Sequence, residues 1–158
     1  MLPLLLLVLL PWLATGCGTG PATAEVGAAL PSFSLESLSG ETVRSADFQG
    51  RPTVISVWAT WCQPCLKEIP LLQQLHADPR FRVVTIALDE TGADTVAPFV
   101  EERGLSYPVL LGDQETFQSL AGFAIPHNVL VTPDGTVADI IRGLLDEERV
   151  EALLLSSG

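Results

Sequence analysis

The stretch TVISVWATWCQPCLKEIP, residues 53–70, constrains this chain more than any other. Its first part, TVISVWA, is β-branched and apolar without alternation, the pattern of a central strand buried on both faces. Cys62 and Cys65 follow at once. Leu66, Ile69, Leu72 and Leu75 then fall on one stripe, which predicts a helix from about Cys62 to His76. A buried strand running straight into a helix that opens with two thiols leaves few architectures and few chemistries.

The thiols could hold a metal, staple the chain or form a redox couple. Zinc wants four ligands and C-x-x-C supplies two. The remaining candidates, His76 and His127, lie far apart in sequence, so no metal site is expected. A disulfide closing so short a loop constrains the unfolded chain too little to be a useful staple. Redox chemistry explains the neighbours better. Positions i and i+3 of a helix bring two Cβ atoms close to disulfide distance. Cys62 at the helix N-terminus meets free N–H groups and the dipole, which favour its thiolate. Pro64 presets helical φ in the first turn, where its missing donor is not needed. Cys65, one turn in and more buried, suits the resolving role.

The rest of the chain alternates strand and helix signals. PSFSLESLSGETVRS, with a turn at Ser39-Gly40, predicts a hairpin. RVVTIAL (82–88) predicts a second buried strand, residues 94–104 a helix closed by Gly104, residues 108–112 a short strand, and residues 114–122 a short helix. HNVLVTPDGTVADIIRG predicts two strands joined at Pro133-Asp134-Gly135, and DEERVEALLLSS a final helix with acids at its positive end. The expected fold class is α/β: a central mixed sheet flanked by helices, with an N-terminal hairpin.

The 158 residues carry a net charge of −11, from 8 basic and 19 acidic side chains. No basic patch exists to displace counterions, so a nucleic-acid partner is not expected. Residues 2–14, LPLLLLVLLPWLA, are uncharged and too short to span a bilayer, but have the length of a signal-peptide core. ATGC, ending at Cys17, resembles a bacterial lipobox. The expected organisation is a lipoprotein-type signal peptide over 1–16, lipid on Cys17, a Gly/Pro-bearing tether over 17–30 and one domain over 31–158. Any membrane attachment would be the lipid alone, and the chain is expected to be an extracytoplasmic monomer.

VISVWATWCQPCLKEIP resembles the active-site strand and helix of the thioredoxin superfamily. DFQGRPTVISVWATWC, VVTIALDE, GLSYPVLLGD and FAIPHNVLVTPDGTV resemble successive segments of its exported TlpA/ResA branch, from about Gly27 to Leu155. The resemblance implies a thioredoxin-like fold and a thiol-disulfide oxidoreductase, with no cofactor beyond the redox-active disulfide of Cys62 and Cys65. It places a cis proline at Pro126, facing the disulfide, and gives the backbone of Ile125 to a docked substrate strand. Trp61 would shield the disulfide and contact partners, while Trp58 belongs to the core. Pro70 matches a proline that kinks the active-site helix. Glu68 stands where this branch carries a glutamate three residues after the second cysteine. Helical geometry puts it beside Cys65, where a partly buried carboxylate would take that thiol's proton, the alternative being a solvated acid beside Lys67. Ser56 occupies the place of the buried aspartate of ordinary thioredoxins. His127 departs from the small hydroxyl residue usual after the proline. The implied clients are disulfide-bearing proteins such as apocytochrome c or a copper-site protein, with a membrane thiol carrier as electron donor. Two rivals stay open. One is a copper chaperone using Cys62, Cys65 and His127; the other is a peroxiredoxin, which would need a threonine where Ala59 stands.

Overall fold

A computed structural model describes residues 22–155. The segment expected to be a signal peptide, Cys17 with its expected lipid, and residues 156–158 lie outside them. Two short strands, β1 (Ser34–Glu36) and β2 (Thr42–Arg44), form the expected antiparallel hairpin and lead through a single 3-10 turn, Ser45–Phe48, to the main sheet. That sheet comprises β3 (Thr53–Trp58), β4 (Arg82–Ala87), β5 (Val109–Leu111), β6 (His127–Val131) and β7 (Val137–Arg142), in spatial order β5-β4-β3-β6-β7. β3, β4 and β5 are parallel, β6 runs antiparallel to β3, and β7 runs antiparallel to β6, so the sheet is mixed. Helices α1 (Gln63–Leu66), α2 (Ile69–Ala77), α3 (Ala93–Arg103), α4 (Gln114–Ser119) and α5 (Glu147–Leu155) cover it.

All six residues of β3 are buried, as a strand covered on both faces must be. Its side chains alternate between two cores. Val54 and Trp58 join Leu72 and Leu75 of α2, Val96 of α3, and Val150 and Leu153 of α5. Ile55 and Val57 join Phe117 of α4, Leu35 of the hairpin and Phe48 of the 3-10 turn. Ser56, in register with Thr85 of β4 and Asn128 of β6, puts a polar row on the α2 face.

Two boundaries differ from the sequence reading. The helix expected from Cys62 to His76 is broken into α1 and α2 at Lys67 and Glu68. Pro70 has no N–H to give the Leu66 carbonyl, so the ladder cannot continue. It tightens instead: Lys67 and Glu68 donate three residues back, to Pro64 and Cys65, and Glu68 caps α2. The segment read as a tether is also packed over its described part. Ala24 is buried and donates to Ser119 O, and Gly27 and Leu30 donate to Val137 O and Gly135 O. Backbone pairing of this kind leaves no mark on composition, so small residues looked like a linker. Among the described residues, no helix is long and apolar enough to cross a membrane.

One close approach can be tested directly. An ideal Cβ at Gly122 would lie 2.0 Å from Cε2 of Phe117, whose ring packs edge-on against His127. Gly122→Ala is expected to displace that ring and destabilise the fold by about 1–3 kcal/mol. Denaturant unfolding measures it, and an unchanged midpoint would mean that the ring gives way freely.

Candidate active site

β3 ends at Trp58, and the chain turns through Ala59, Thr60 and Trp61 into α1. The turn is held by Asp89, just past β4, whose carboxylate accepts the Thr60 backbone N–H at 3.1 Å and the Thr60 hydroxyl. Asp89 is buried although acidic. Its place in LDE gave no sign of this role, because the partner lies in the turn after β3, far away in sequence. Thr60, the residue nearest to a peroxiredoxin's threonine, is thus spent on shaping the turn.

Cys62 is the N-cap of α1, with Pro64 inside the first turn. Its Sγ accepts the backbone N–H of Cys65 at 3.3 Å, so the helix terminus points a donor at this sulfur. The two cysteines are joined as a disulfide, with Cα atoms 5.3 Å apart, and both residues are buried. Trp61 beside them is 67% exposed. The Ile125-Pro126 peptide is cis, with Pro126 buried and Ile125 half-buried. Phe123, three residues before that proline, is exposed and lies under the Arg142 guanidinium.

Glu68 is only 3% exposed, although it is a carboxylate on a helix that otherwise presents Lys67 to solvent. Oε1 accepts the Asn128 side-chain amide at 3.0 Å and the backbone N–H of Leu145; Oε2 accepts the Ser56 hydroxyl at 3.5 Å. Loss of hydration pushes its pKa above the usual carboxylate range, and the bonds from Leu145, Asn128 and Ser56 offset part of that rise. Tyr107 feels the same burial, and the nearby Glu68 charge raises its pKa further. Asn128 also donates to Gly143 O at 3.1 Å, and Gly143 N–H donates to Pro126 O at 3.0 Å. One amide therefore joins the carboxyl, the proline loop and the 143–145 loop.

Ser56 and Glu68 were both singled out in the sequence. Asn128 and the Leu145 N–H were not, since neither residue type nor spacing links them to Glu68. His127 is placed elsewhere. It alternates with Asn128 along β6, so its ring lies on the α4 face against Phe117, and Nε2 bonds Leu120 O at 2.7 Å. Burial, with Arg142 nearby, lowers its pKa despite that bond. The three-ligand copper arrangement is not assembled. Among the described residues, no three His, Cys, Asp or Glu side chains converge as metal ligands.

The buried carboxyl makes stability depend on pH. Glu68 holds its proton to higher pH in the folded protein than in the unfolded chain, whose ordinary value is 4.5. The folded state therefore binds more protons above that pH, and stability falls as pH rises toward the folded pKa. The slope is at most about 1.4 kcal/mol per pH unit. Glu68→Gln, which mimics the protonated carboxyl, is expected to lose this decline. Denaturant titrations of the oxidised protein at stepped pH should show the variant gaining on wild type from pH 4.5 upward. A constant difference would place the carboxyl in contact with water.

Comparison with known proteins agrees with this geometry. The AhpC/TSA family model matches residues 26–140. The chain is 32% identical over 138 residues to the thiol-disulfide oxidoreductase ResA of Oceanobacillus iheyensis, covering 82% of this chain and 71% of that protein. It is 26% identical to ResA of Bacillus subtilis, covering 83% of this chain and 75% of that one. A thiol:disulfide interchange protein of the thioredoxin family from Chlorobium tepidum superposes with a TM-score of 0.70 at 26% identity, covering 85% of this chain and 99% of that one. With its C-x-x-C disulfide at the end of a buried strand, the chain belongs to the AhpC/TSA family, as a ResA-like thiol-disulfide oxidoreductase of the thioredoxin superfamily.

Proposed function

We propose that this oxidoreductase works outside the cytoplasm as a reductase of client-protein disulfides, tethered by lipid on Cys17. Cys62 thiolate attacks a client disulfide and forms a mixed disulfide. Cys65 passes its proton to Glu68, attacks the Cys62 sulfur and releases the client's second sulfur as a thiolate. The products are the Cys62–Cys65 disulfide and a reduced client. Trp61, Ile125 and Pro126 form the docking face. No cofactor beyond the disulfide takes part. The clients are disulfide-bearing extracytoplasmic proteins, of which apocytochrome c is one candidate, and a membrane thiol carrier returns the electrons.

The observation that carries this reading is the burial of Glu68 one turn beyond Cys65, where Glu68 N–H donates to Cys65 O at 3.1 Å. A carboxyl whose pKa is raised by burial is a competent proton acceptor for a thiol near neutral pH. The direction rests on what surrounds Cys62. Gln63 and Pro64 add no charge, and Lys67 is exposed. Beyond the helix terminus little stabilises the thiolate, so the dithiol is not favoured as it is in a strong oxidant.

Cys65→Ala is expected to accumulate mixed disulfides through Cys62 with exported proteins, to be identified after capture under non-reducing conditions. Adducts forming through Cys65 in Cys62→Ala instead would reverse the two roles. Acid-quenched thiol trapping in growing cells should find the wild-type pair mainly reduced. A mainly oxidised pair that donates its disulfide to reduced proteins would make the enzyme an oxidase. The lipid on Cys17 is checked by the intact mass of membrane-extracted protein.

A further inference from the structure

The two oxygens of Glu68 have different surroundings. Oε1 is held by two N–H donors, from the Asn128 amide and the Leu145 backbone. Neither group can accept a proton at that position. The amide orientation of Asn128 is fixed, since Nδ2 faces two acceptors, Glu68 Oε1 at 3.0 Å and Gly143 O at 3.1 Å. A proton on Oε1 would have to displace one of these donors and leave a buried N–H unpaired. Oε2 is bonded only to Ser56 Oγ among the described residues, at 3.5 Å. A hydroxyl donates to a carboxylate and, after turning about its C–O bond, accepts from a carboxylic acid.

We infer that the working proton of Glu68 is carried on Oε2, with Ser56 as the positioning residue that serves both protonation states, while Asn128 and the Leu145 N–H keep Oε1 a permanent acceptor. This rests on the reading above, in which Glu68 exchanges a proton with Cys65. The proton leaves Cys65 Sγ and bonds to Oε2 as the thiolate attacks Cys62 Sγ; the Cys62–client bond breaks and the electron pair departs with the client sulfur. When a donor thiolate later opens the Cys62–Cys65 disulfide at Cys62, Cys65 leaves as a thiolate and takes the proton back from Oε2. The donor's second thiolate then attacks the donor sulfur bonded to Cys62, closing the donor's own disulfide and releasing Cys62 as the thiolate. No proton is lost around the cycle. The titratable group whose charge interaction with the carboxyl is seen is Tyr107, from the loop before β5; Cys65 becomes titratable once the disulfide is opened. No Lys, Arg or His among the described residues pairs with the carboxyl.

Difference infrared spectroscopy of the oxidised protein across pH tests the assignment. The carboxylic C=O stretch of Glu68 is the band that disappears in Glu68→Gln. With the proton on Oε2, the carbonyl oxygen is Oε1, whose frequency is lowered by its N–H donors. Asn128→Ala is expected to move the band to higher frequency, as is Asn128→Leu should the alanine cavity prevent folding. Ser56→Ala is expected to leave the band in place. The same substitution removes a donor to the ionised form, the stronger of the two bonds that Ser56 can make, and should raise the midpoint of the band's titration. The pH profile of the step that closes the Cys62–Cys65 disulfide should rise with it. A band that moves in Ser56→Ala and stays in the Asn128 variants puts the proton on Oε1 and overturns the inference. So does the absence of any band lost in Glu68→Gln. Unaltered kinetics and pH profile in Glu68→Gln would remove the proton-acceptor role itself, a separate failure, since the infrared pattern still decides which oxygen is protonated.

Discussion

A carboxyl group drawn out of water must find donors inside the protein, and Glu68 finds them on three parts of the fold at once. An ionised carboxylate buried without partners costs several kcal/mol, so its environment cannot be assembled loosely. β3 supplies Ser56, β6 supplies Asn128 and the chain after β7 supplies the Leu145 N–H. The break before α2 makes Glu68 the cap of a new helix rather than a residue on the outside of an old one. The order of strands, the position of Pro70 and the path of the 143–145 loop all meet at this side chain. The disulfide sits one turn away, at the end of the same strand, so redox chemistry and proton chemistry share one scaffold.

The sequence disclosed the chemistry of local segments and concealed what is assembled across distance. A buried strand, a capped pair of cysteines and a hairpin turn are written in adjacent residues, and each was found where its pattern predicted. The polar row on the α2 face was half legible. Ser56 interrupts an apolar strand and so draws notice, whereas Asn128 follows a histidine at the start of another strand and lies 60 residues from the carboxyl it serves. A backbone N–H such as that of Leu145 is present at almost every position and can never be singled out from residue type. The lead-in over residues 24–30 failed for a related reason, since its attachment to Ser119, Gly135 and Val137 is made by the main chain. Asp89 shows the same blindness, an acid that looks solvated and is instead the brace of the cysteine turn.

The neighbours His127 and Asn128 carry opposite assignments because they point to opposite faces of β6. One closes against Phe117 and the end of α4; the other closes against Glu68. A strand's period of two makes this arrangement sensitive to length rather than to composition. The irregularity in β6 pairing falls at Leu130 and Val131, past both residues and toward the end remote from the disulfide, so their alternation is undisturbed. Insertion of a single residue between Pro126 and His127 would exchange the faces, turning the imidazole toward the carboxyl and the amide toward the aromatic ring. A basic ring would then compete with the carboxyl for a proton. The amide's place two residues past Pro126 therefore matters to the site as much as its chemistry, since one step either way along β6 points a side chain away from the carboxyl.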